Sequence, residues 1–192
     1  MTGKLELIIG PMFSGKSTEL IRRINLLKVI NKKVLVVKPS IDIRYNTDKL
    51  TTHNYESTDC VVLENLSSIN NEINNYDVVV IDEGQFFKDL KKTVSIWVDN
   101  YNINVIVGGL DGDYERKPIG QILELIPMAE SCVKLCSYCN MCSNGIEGPF
   151  SLRLIKSNDQ ILIGGVETYI PVCRFHYLES NNFNSISNSN SN

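Results

Sequence analysis

The first segment with a recognisable chemistry lies near the start of the chain and ends in lysine and serine. It matches the pattern G-x-x-x-x-G-K-[ST] with Gly10, Pro11, Met12, Phe13, Ser14, Gly15, Lys16 and Ser17. Its glycines let backbone amides turn toward an anion, and a helix beginning here presents unpaired N–H groups and the positive end of its dipole. Lys16 is suited to neutralise phosphate oxygens, and Ser17 to place a hydroxyl on Mg²⁺. The segment therefore predicts a phosphate-binding loop, or P-loop.

An acidic pair follows an apolar segment further along the chain. Residues 78–81 read Val-Val-Val-Ile, and Asp82 and Glu83 come directly after them. An aspartate at the end of a buried strand is typical of the second half of a P-loop site, where it holds Mg²⁺. A carboxylate beside it can take a proton from the attacking nucleophile, which typically contributes ~10²–10⁴ in rate. We therefore expect Asp82 at the metal and Glu83 as general base.

The two motifs indicate a protein that uses Mg·ATP, but they leave the phosphate acceptor open. In a small-molecule kinase Glu83 would deprotonate a substrate hydroxyl, whereas in a motor or helicase-type ATPase it would orient a water. The kinase is favoured because 192 residues leave room for one nucleotide-binding core and one lid. The sequence has no extended basic, aromatic-interleaved groove for tracking along nucleic acid. Phe86 and Phe87 follow the acidic pair closely, as a pocket for a flat base would require.

Four soft metal ligands form two pairs in the last third of the chain. Cys139-x-x-Cys142 is followed by Cys173-x-x-His176. Each pair can place two ligands on one ion from one turn, and two pairs complete a tetrahedron, which predicts a structural Zn²⁺ site. Cys136 stands three residues before Cys139, so on spacing alone a register that uses those two cysteines is also possible.

The composition is ordinary for a globular protein and does not exclude a small anionic ligand. Hydrophobic residues make up 43% and charged residues 21% of the chain. The formal net charge of -3 argues against a protein that coats duplex DNA. No apolar run is long enough for a membrane helix, and the first residues lack the apolar core of a signal peptide. We therefore expect a cytoplasmic protein without a nucleic-acid or membrane partner, with reduced thiols and with Cys60 and Cys132 in the core.

Strand-like and helix-like patterns alternate between the motifs, which predicts an α/β fold: a mainly parallel sheet with flanking helices. Continuous β-branched runs at 5–9, 33–37, 78–81 and 105–107 indicate strands buried on both faces. Apolar residues recur at helical spacing in two sets, namely Leu20, Ile24 and Leu27, and Phe87, Leu90, Val94, Trp97 and Tyr101.

After residue 135 the chain becomes rich in Cys, Gly, Asn and Ser. Two short runs, 150–155 and 160–163, flank Ser157-Asn158-Asp159, which predicts a β-hairpin. The last residues are mostly Asn and Ser, a composition typical of disorder. We therefore expect three parts: a nucleotide-binding domain at 1–135, a zinc-binding domain at 136–179 and a disordered tail at 180–192.

Several motifs occur together in the order typical of one enzyme family. They are GPMFSGKS at 10–17, DIRY at 42–45, IDEGQFF at 81–87, GLDG at 109–112, RKP at 116–118, and GG at 164–165 with Tyr169 and VCR at 172–174. With these motifs the chain resembles the type II thymidine kinases, cytosolic P-loop enzymes with a zinc-held loop called the lasso. The resemblance implies transfer of the ATP γ-phosphate to the 5′-hydroxyl of thymidine, giving dTMP. It also implies a P-loop NTPase-like fold, bound Mg²⁺ and Zn²⁺, and a homotetramer.

The resemblance assigns roles on the nucleotide side of the site. Glu83 matches the catalytic base that acts on the nucleoside 5′-hydroxyl, and Asp82 and Gln85 match the magnesium-site residues. Asp42 and Arg44 match a nucleotide-side pair, in which Arg44 would offset charge on the transferring phosphoryl group.

The resemblance also assigns the nucleoside-binding and zinc-binding residues. The substrate-binding set is Met12, Phe86, Leu110, Tyr114, Ser151, Ile161, Leu162, Ile163, Gly164 and Tyr169. Tyr114 stands where the family usually has Phe, so the ring is kept and a hydroxyl is added. The zinc set is Cys139, Cys142, Cys173 and His176, without Cys136, and the histidine stands where most members have cysteine.

The metal alone cannot order the loop between the two zinc pairs. Fixing the backbone costs ~1–2 kcal/mol per residue, whereas a structural zinc contributes ~10–16 kcal/mol. We therefore expect residues 164–169 to be mobile without substrate and to close over the nucleoside, excluding water. Two alternatives stay open: a kinase for another deoxynucleoside, and a zinc-ribbon P-loop ATPase acting on nucleic acid.

Overall fold

A computed structural model describes residues 2–42, 49–51, 57–157 and 159–180 of the chain. Its helices are α1 (Lys16–Val29), α2 (Leu90–Asp99) and a helical segment at residues 174–180. The strands are β1 (Leu5–Gly10), β2 (Val34–Pro39), β3 (Lys49–Thr51), β4 (Ser57–Asp59), β5 (Val61–Leu63), β6 (Val78–Ile81), β7 (Asn104–Leu110), β8 (Ser131–Lys134), β9 (Ser137–Tyr138), β10 (Glu147–Gly148), β11 (Phe150–Arg153) and β12 (Tyr169–Val172). Short 3₁₀ helices lie at Leu66–Ile69, Ile73–Asn75, Gly84–Phe86 and Ile122–Met128.

Six of these strands form one central sheet in the order β5-β2-β6-β7-β1-β8. Every neighbouring pair in it is parallel. Its inner strands are almost wholly buried, as helices on both faces of a parallel sheet require. Because the strands are parallel, the segments that follow β1, β6 and β7 meet at one edge of the sheet. The predicted α/β fold is confirmed.

Alternate side chains of the strands enter two separate hydrophobic clusters, one on each face of the sheet. On one face Ile8 of β1 belongs to the cluster that contains Leu20 of α1. On the other face Leu7 belongs to the cluster that contains Trp97 of α2. Each such fully buried side chain stabilises the fold by ~1.5–3 kcal/mol. The packing of α1 therefore holds the loop before it in a fixed place at the edge of the sheet.

The chain after residue 135 has a small core of its own. Strand β9 pairs with β10 and β11 with β12, each pair antiparallel. The residues buried between them are Cys139, Leu152, Val172, Cys173 and Tyr177. The division at residue 135 stays a prediction, and a separate core on its far side is consistent with it.

The predicted hairpin of residues 150–155 with residues 160–163 is wrong. Strand β11 pairs instead with β12, with Arg153 opposite Tyr169, and residues 160–163 lie in no strand. The middle residue of the predicted turn, Asn158, lies outside the described residues, and on either side of it the Ser157 hydroxyl accepts a hydrogen bond from the N–H of Asp159. The segment after the turn gains no strand partner because its carbonyl oxygens bind the Arg153 side chain.

Two smaller predictions are also wrong. Helix α2 spans Leu90–Asp99, so both ends of the predicted stripe lie outside it: Phe87, which is still buried in the core, and Tyr101, which is 39% exposed. Asn102, at φ 57°, redirects the chain toward β7. Cys132 is exposed rather than in the core, because it belongs to β8 at the edge of the sheet, where β1 is its one neighbour among the described strands.

Some predictions fall on residues that the structure does not describe. Arg44 lies outside the described residues, as do residues 181–192 of the predicted tail, while Ser180, the last described residue, is helical rather than part of a disordered tail. Among the described helices, each is too short or too polar to cross a membrane.

Candidate active site

A cleft opens where the segments after β1, β6 and β7 meet. Its volume is about 1210 Å³, counting the space at its open mouth. The P-loop, the acidic pair and the segment before β12 all contribute to its walls. The predicted residues that line it are Met12, Phe13, Ser14, Gly15, Lys16, Ser17, Asp42, Asp82, Glu83, Phe86, Leu110, Tyr114, Ser151, Ile161, Leu162, Ile163, Gly164 and Tyr169. The structure therefore brings the phosphate-binding and nucleoside-binding predictions together in one place.

The P-loop adopts backbone conformations that most side chains avoid. Gly15, directly before α1, has a φ of 81°, and Phe13 has a φ of 63°. The Gly15 carbonyl accepts the hydrogen bond from the N–H of Glu19 that starts the helix. Lys16 is only 8% exposed, and its ammonium donates a 2.6 Å hydrogen bond to the Pro11 carbonyl. A helix N-terminus beside a buried cation gives this end of the cleft the electropositive character that an anion requires.

Ser17 and Asp82 meet at the bottom of the cleft. The Ser17 hydroxyl donates a 3.2 Å hydrogen bond to Oδ2 of Asp82. The other oxygen, Oδ1, is buried and has no hydrogen-bond partner among the described residues. Burial and the nearby negative charges of Glu83 and Asp42 raise the pKa of Asp82. An unpartnered carboxylate oxygen beside a hydroxyl is a donor set that hard cations prefer, so these residues fit Mg²⁺.

Glu83 is held in a left-handed backbone conformation, at φ 51° and ψ 42°. Its carboxylate is mostly buried and accepts a 2.6 Å hydrogen bond from Nε2 of Gln85. The Gln85 side-chain oxygen accepts a 3.0 Å hydrogen bond from the N–H of Leu110. Such a conformation costs ~1–3 kcal/mol and persists where the surrounding contacts enforce it, which is common at functional sites. The result is a carboxylate held in one place at the wall of the cleft.

Of the described residues predicted on the nucleotide side, three do not line the cleft: Gly10, Pro11 and Gln85. Gln85 is 3% exposed and holds Glu83, so the described contacts give it a supporting place behind the acidic pair. The Pro11 carbonyl likewise has a supporting place, because it accepts hydrogen bonds from the side chains of Ser14 and Lys16.

Apolar side chains line the part of the cleft predicted to hold the base. Met12, Phe86 and Leu110 lie there, whereas Phe87 is buried in the core beside α2. The Ser151 hydroxyl accepts a 3.1 Å hydrogen bond from the N–H of Met12, which ties β11 to the P-loop. Only one of the two phenylalanines after the acidic pair is therefore available to a ligand.

The sequence prediction missed several residues that line the cleft, namely Lys38, Lys49, Leu50, Thr51, Asp113 and Gln160. Asp113 is 6% exposed and accepts 2.8 Å hydrogen bonds from the N–H groups of Glu115 and Lys117. It also accepts a 2.8 Å hydrogen bond from the side chain of Gln160. The two partners of this last bond are 47 positions apart in the sequence, so no local pattern could have indicated it.

The four predicted zinc ligands lie together. The ligand atoms of Cys139, Cys142, Cys173 and His176 are all within 4.8 Å of one another. Nδ1 of His176 is 3.5, 3.4 and 3.4 Å from the three sulfurs, and the Cys142 and Cys173 sulfurs are 3.8 Å apart. Tetrahedral Zn²⁺ with ordinary bond lengths gives edges of ~3.6 Å between N and S and ~3.8 Å between two S atoms.

The environment of Cys139 also favours a metal ligand. Burial raises the pKa of its thiol, but N–H donors from Cys173 and Cys142 and the His176 side chain together lower the pKa to about 6, while burial and the neighbouring sulfurs raise the pKa of Cys142 to about 12. A thiolate is the form that binds zinc. The residues therefore fit a structural Zn²⁺, and the described metal-binding cluster does not include Cys136.

The fold and the cleft together are those of a P-loop nucleotide-binding protein. Comparison with known proteins narrows this class. A family model described as Thymidine kinase matches residues 3–177. The chain is 44% identical over 189 residues to "Thymidine kinase 1" of Dictyostelium discoideum, covering 95% of this chain and 81% of that protein.

Relatives from other kinds of organism agree. The chain is 39% identical over 183 residues to a thymidine kinase of Oryza sativa subsp. japonica, covering 92% of this chain and 67% of that protein. It is 42% identical over 178 residues to the thymidine kinase of Variola virus, covering 93% of this chain and 98% of that protein. The chain belongs to the thymidine kinase family, and the resemblance to the type II enzymes is confirmed.

Proposed function

We propose that the chain transfers the γ-phosphate of ATP to the 5′-hydroxyl of thymidine, giving dTMP. The observation that carries the proposal is that one cleft holds Lys16, the Ser17–Asp82 pair and Glu83 beside the predicted nucleoside-binding residues. Membership of the family supports thymidine as the nucleoside. The alternative of an ATPase acting on nucleic acid has no support in the comparisons.

The phosphates of ATP bind at the start of α1. The N–H groups of the P-loop orient them, and Lys16 exchanges its neutral acceptor, the Pro11 carbonyl, for a charged phosphate oxygen. Ser17 and Asp82 would hold Mg²⁺, which supplies positive charge against the charge that develops on the phosphoryl group. By the resemblance, Asp42 and Arg44 would act on the nucleotide, with Arg44 offsetting charge on the transferring phosphoryl group.

Glu83 takes the proton of the 5′-hydroxyl. As it does so, the 5′-oxygen bonds to the γ-phosphorus and the bond from that phosphorus to the ADP oxygen breaks. The hydrogen bond from Gln85 and the left-handed backbone orient the carboxylate before substrate arrives. Pre-orientation matters because proton transfer needs the base within hydrogen-bond reach of the hydroxyl.

The nucleoside lies between the apolar wall and the segment before β12. Phe86 and Tyr114 offer rings to the base, and Ser151 and Tyr169 lie on adjoining strands. The backbone groups of residues 161–164 read the edge of the pyrimidine. Closure of this segment excludes water, so that the phosphoryl group passes to the nucleoside.

The Cys/His cluster has a structural role in this scheme. Its four protein ligands leave no position open for chemistry, and they hold the two ends of the lasso. The resemblance to the type II family supports a homotetramer and a cytoplasmic location.

A panel of nucleosides assayed with Mg·ATP tests the proposal. We expect thymidine to be phosphorylated at its 5′-oxygen, with a higher kcat/KM than for deoxycytidine or a purine deoxynucleoside. ATP turnover should be low without nucleoside and should not increase when single-stranded DNA is added. Stimulation by DNA without a nucleotide product would contradict the proposal, and a preference for another deoxynucleoside would change the substrate.

A further inference from the structure

Arg153, the last residue of β11, uses all five N–H donors of its guanidinium group. Nε and Nη2 donate hydrogen bonds of 3.1 and 2.8 Å to the hydroxyl of Tyr169. Nη1 binds the carbonyl oxygens of Ser157 and Asp159 at 3.2 and 2.6 Å. Nη2 also binds the carbonyl of Gln160 at 2.9 Å. One side chain therefore connects strand β12 to three residues of the loop that follows β11.

These contacts are not those of an ion pair. All the acceptors are neutral, and among the described residues no carboxylate lies within 4.0 Å of Arg153. Its guanidinium lies over the ring of Tyr114, with Cζ 3.6 Å from the ring centroid. A flat cation that stacks on one face and donates in its own plane is a geometry that arginine can adopt and lysine cannot.

The Arg153 contacts extend to the segment that lines the cleft. Tyr169, whose hydroxyl accepts from Arg153, donates a 3.0 Å hydrogen bond to the carbonyl of Leu162. Gln160, whose carbonyl accepts from Arg153, donates through its side chain to Asp113 on the loop after β7. The segment 160–165 is in no strand, so these side-chain bonds replace the backbone ladder that would otherwise hold it.

We propose that Arg153 is a positioning residue for the nucleoside. It shapes the segment 160–165 so that its backbone groups face the base, and it does not touch the reacting atoms. The four zinc ligands lie outside this segment, so the metal alone does not set its conformation. The inference rests on the proposed function, in which that segment reads the pyrimidine.

Steady-state kinetics of Arg153→Lys and Arg153→Met test the inference. We expect the KM for thymidine to rise by about tenfold to 100-fold in both variants, as a misplaced binding segment requires. The KM for ATP should stay within about twofold, since the P-loop is unchanged. Lys156→Met is the matched control, because Lys156 is an exposed cation of the same loop whose side chain has no hydrogen-bond or ion-pair partner among the described residues. It should behave like wild type.

Chemical rescue separates positioning from general support of the fold. In Arg153→Ala, millimolar guanidinium should lower the KM for thymidine, and the same concentration of urea should not. Zinc content and melting temperature are measured for every variant. If the alanine variant loses zinc, the kinetics of Arg153→Lys decide whether Arg153 positions the segment 160–165.

The opposite results are equally clear. Arg153→Lys with the thymidine KM of wild type, equal rises in both KM values, or no difference between guanidinium and urea would each overturn the inference. A wild-type enzyme that did not phosphorylate thymidine would instead overturn the proposed function itself.

Discussion

The floor of the cleft (residues 10–17 and 82–85) and its roof (residues 157 and 159–165) are held in place by different means. The floor follows buried parallel strands, and helix α1 packs its first turns against the sheet. The roof has no strand partner and is attached by side chains, chiefly those of Arg153 and Gln160. The floor is therefore held rigidly by the packed sheet and helix, whereas the conformation of the roof depends on a few polar side-chain contacts.

This difference matches the chemistry that we propose for each region. Phosphoryl transfer requires charges that are fixed before the reaction, as in the Ser17–Asp82 pair and the strained Glu83. Nucleoside binding requires a roof that opens for entry and release. A segment without strand partners opens at a lower free-energy cost than a strand within a sheet. The predictions that follow probe the roof and the floor separately.

The largest loss of activity should come from removing one of the zinc ligands that hold the roof in place. Cys142→Ser replaces a sulfur that lies 3.4 Å from Nδ1 of His176 and 3.8 Å from the Cys173 sulfur. Structural zinc stabilises small domains by ~10–16 kcal/mol, so loss of a ligand should unfold β9–β12 and abolish thymidine phosphorylation.

Metal analysis and nucleotide binding check this prediction. The zinc content of Cys142→Ser should fall well below that of wild type, while the floor still binds ATP. The control is Cys132→Ser, whose exposed thiol lies on β8 and should be dispensable. Full activity in a zinc-free Cys142→Ser protein would contradict the claim that bound zinc is needed to hold the roof in place.

The next largest effect should come from the floor. Glu83→Gln keeps the shape of the side chain but cannot accept the proton, so kcat should fall by ~10²–10⁴. ATP binding, measured by titration, should change little because the P-loop is intact. Glu72→Gln, an exposed residue remote from the cleft lining, is the control. Near-normal kcat in Glu83→Gln would refute its assignment as the base.

A smaller effect should come from the ring beneath Arg153. Tyr114→Leu removes a cation–π contact of the kind worth ~0.5–2 kcal/mol, so the KM for thymidine should rise by about twofold to thirtyfold. Tyr114→Phe keeps the ring and should stay within about twofold of wild type. If the phenylalanine variant were as impaired as the leucine variant, the hydroxyl rather than the ring would matter, contrary to the stacking seen here.

The sequence predicts the floor well because its signals are local. Gly15, Lys16 and Ser17 stand together in one motif, and Asp82 and Glu83 directly follow a buried strand. The position of Gln85 behind Glu83, by contrast, depends on the tip of β7, which no motif near Gln85 indicates.

The roof was predicted poorly because its contacts are distant in sequence. A turn at Ser157–Asp159 with apolar runs on either side is the usual pattern of a hairpin, yet β11 takes β12 as its partner. The choice depends on Arg153 and Tyr169, which are opposite each other only once that pairing has formed. The cysteine and histidine pairs were predicted because metal-ligand spacing is itself a local signal.

Hydrogen exchange with and without thymidine tests the contrast between floor and roof most directly. At thymidine concentrations near 100 times Kd, bound ligand stabilises the structure that binds it by ~2.7 kcal/mol. Amides of residues 160–165 should then exchange up to about 100-fold more slowly. Over the same early times the amides of β1 and β6 should remain unexchanged in both samples. Equal exchange of residues 160–165 with and without thymidine would contradict the account.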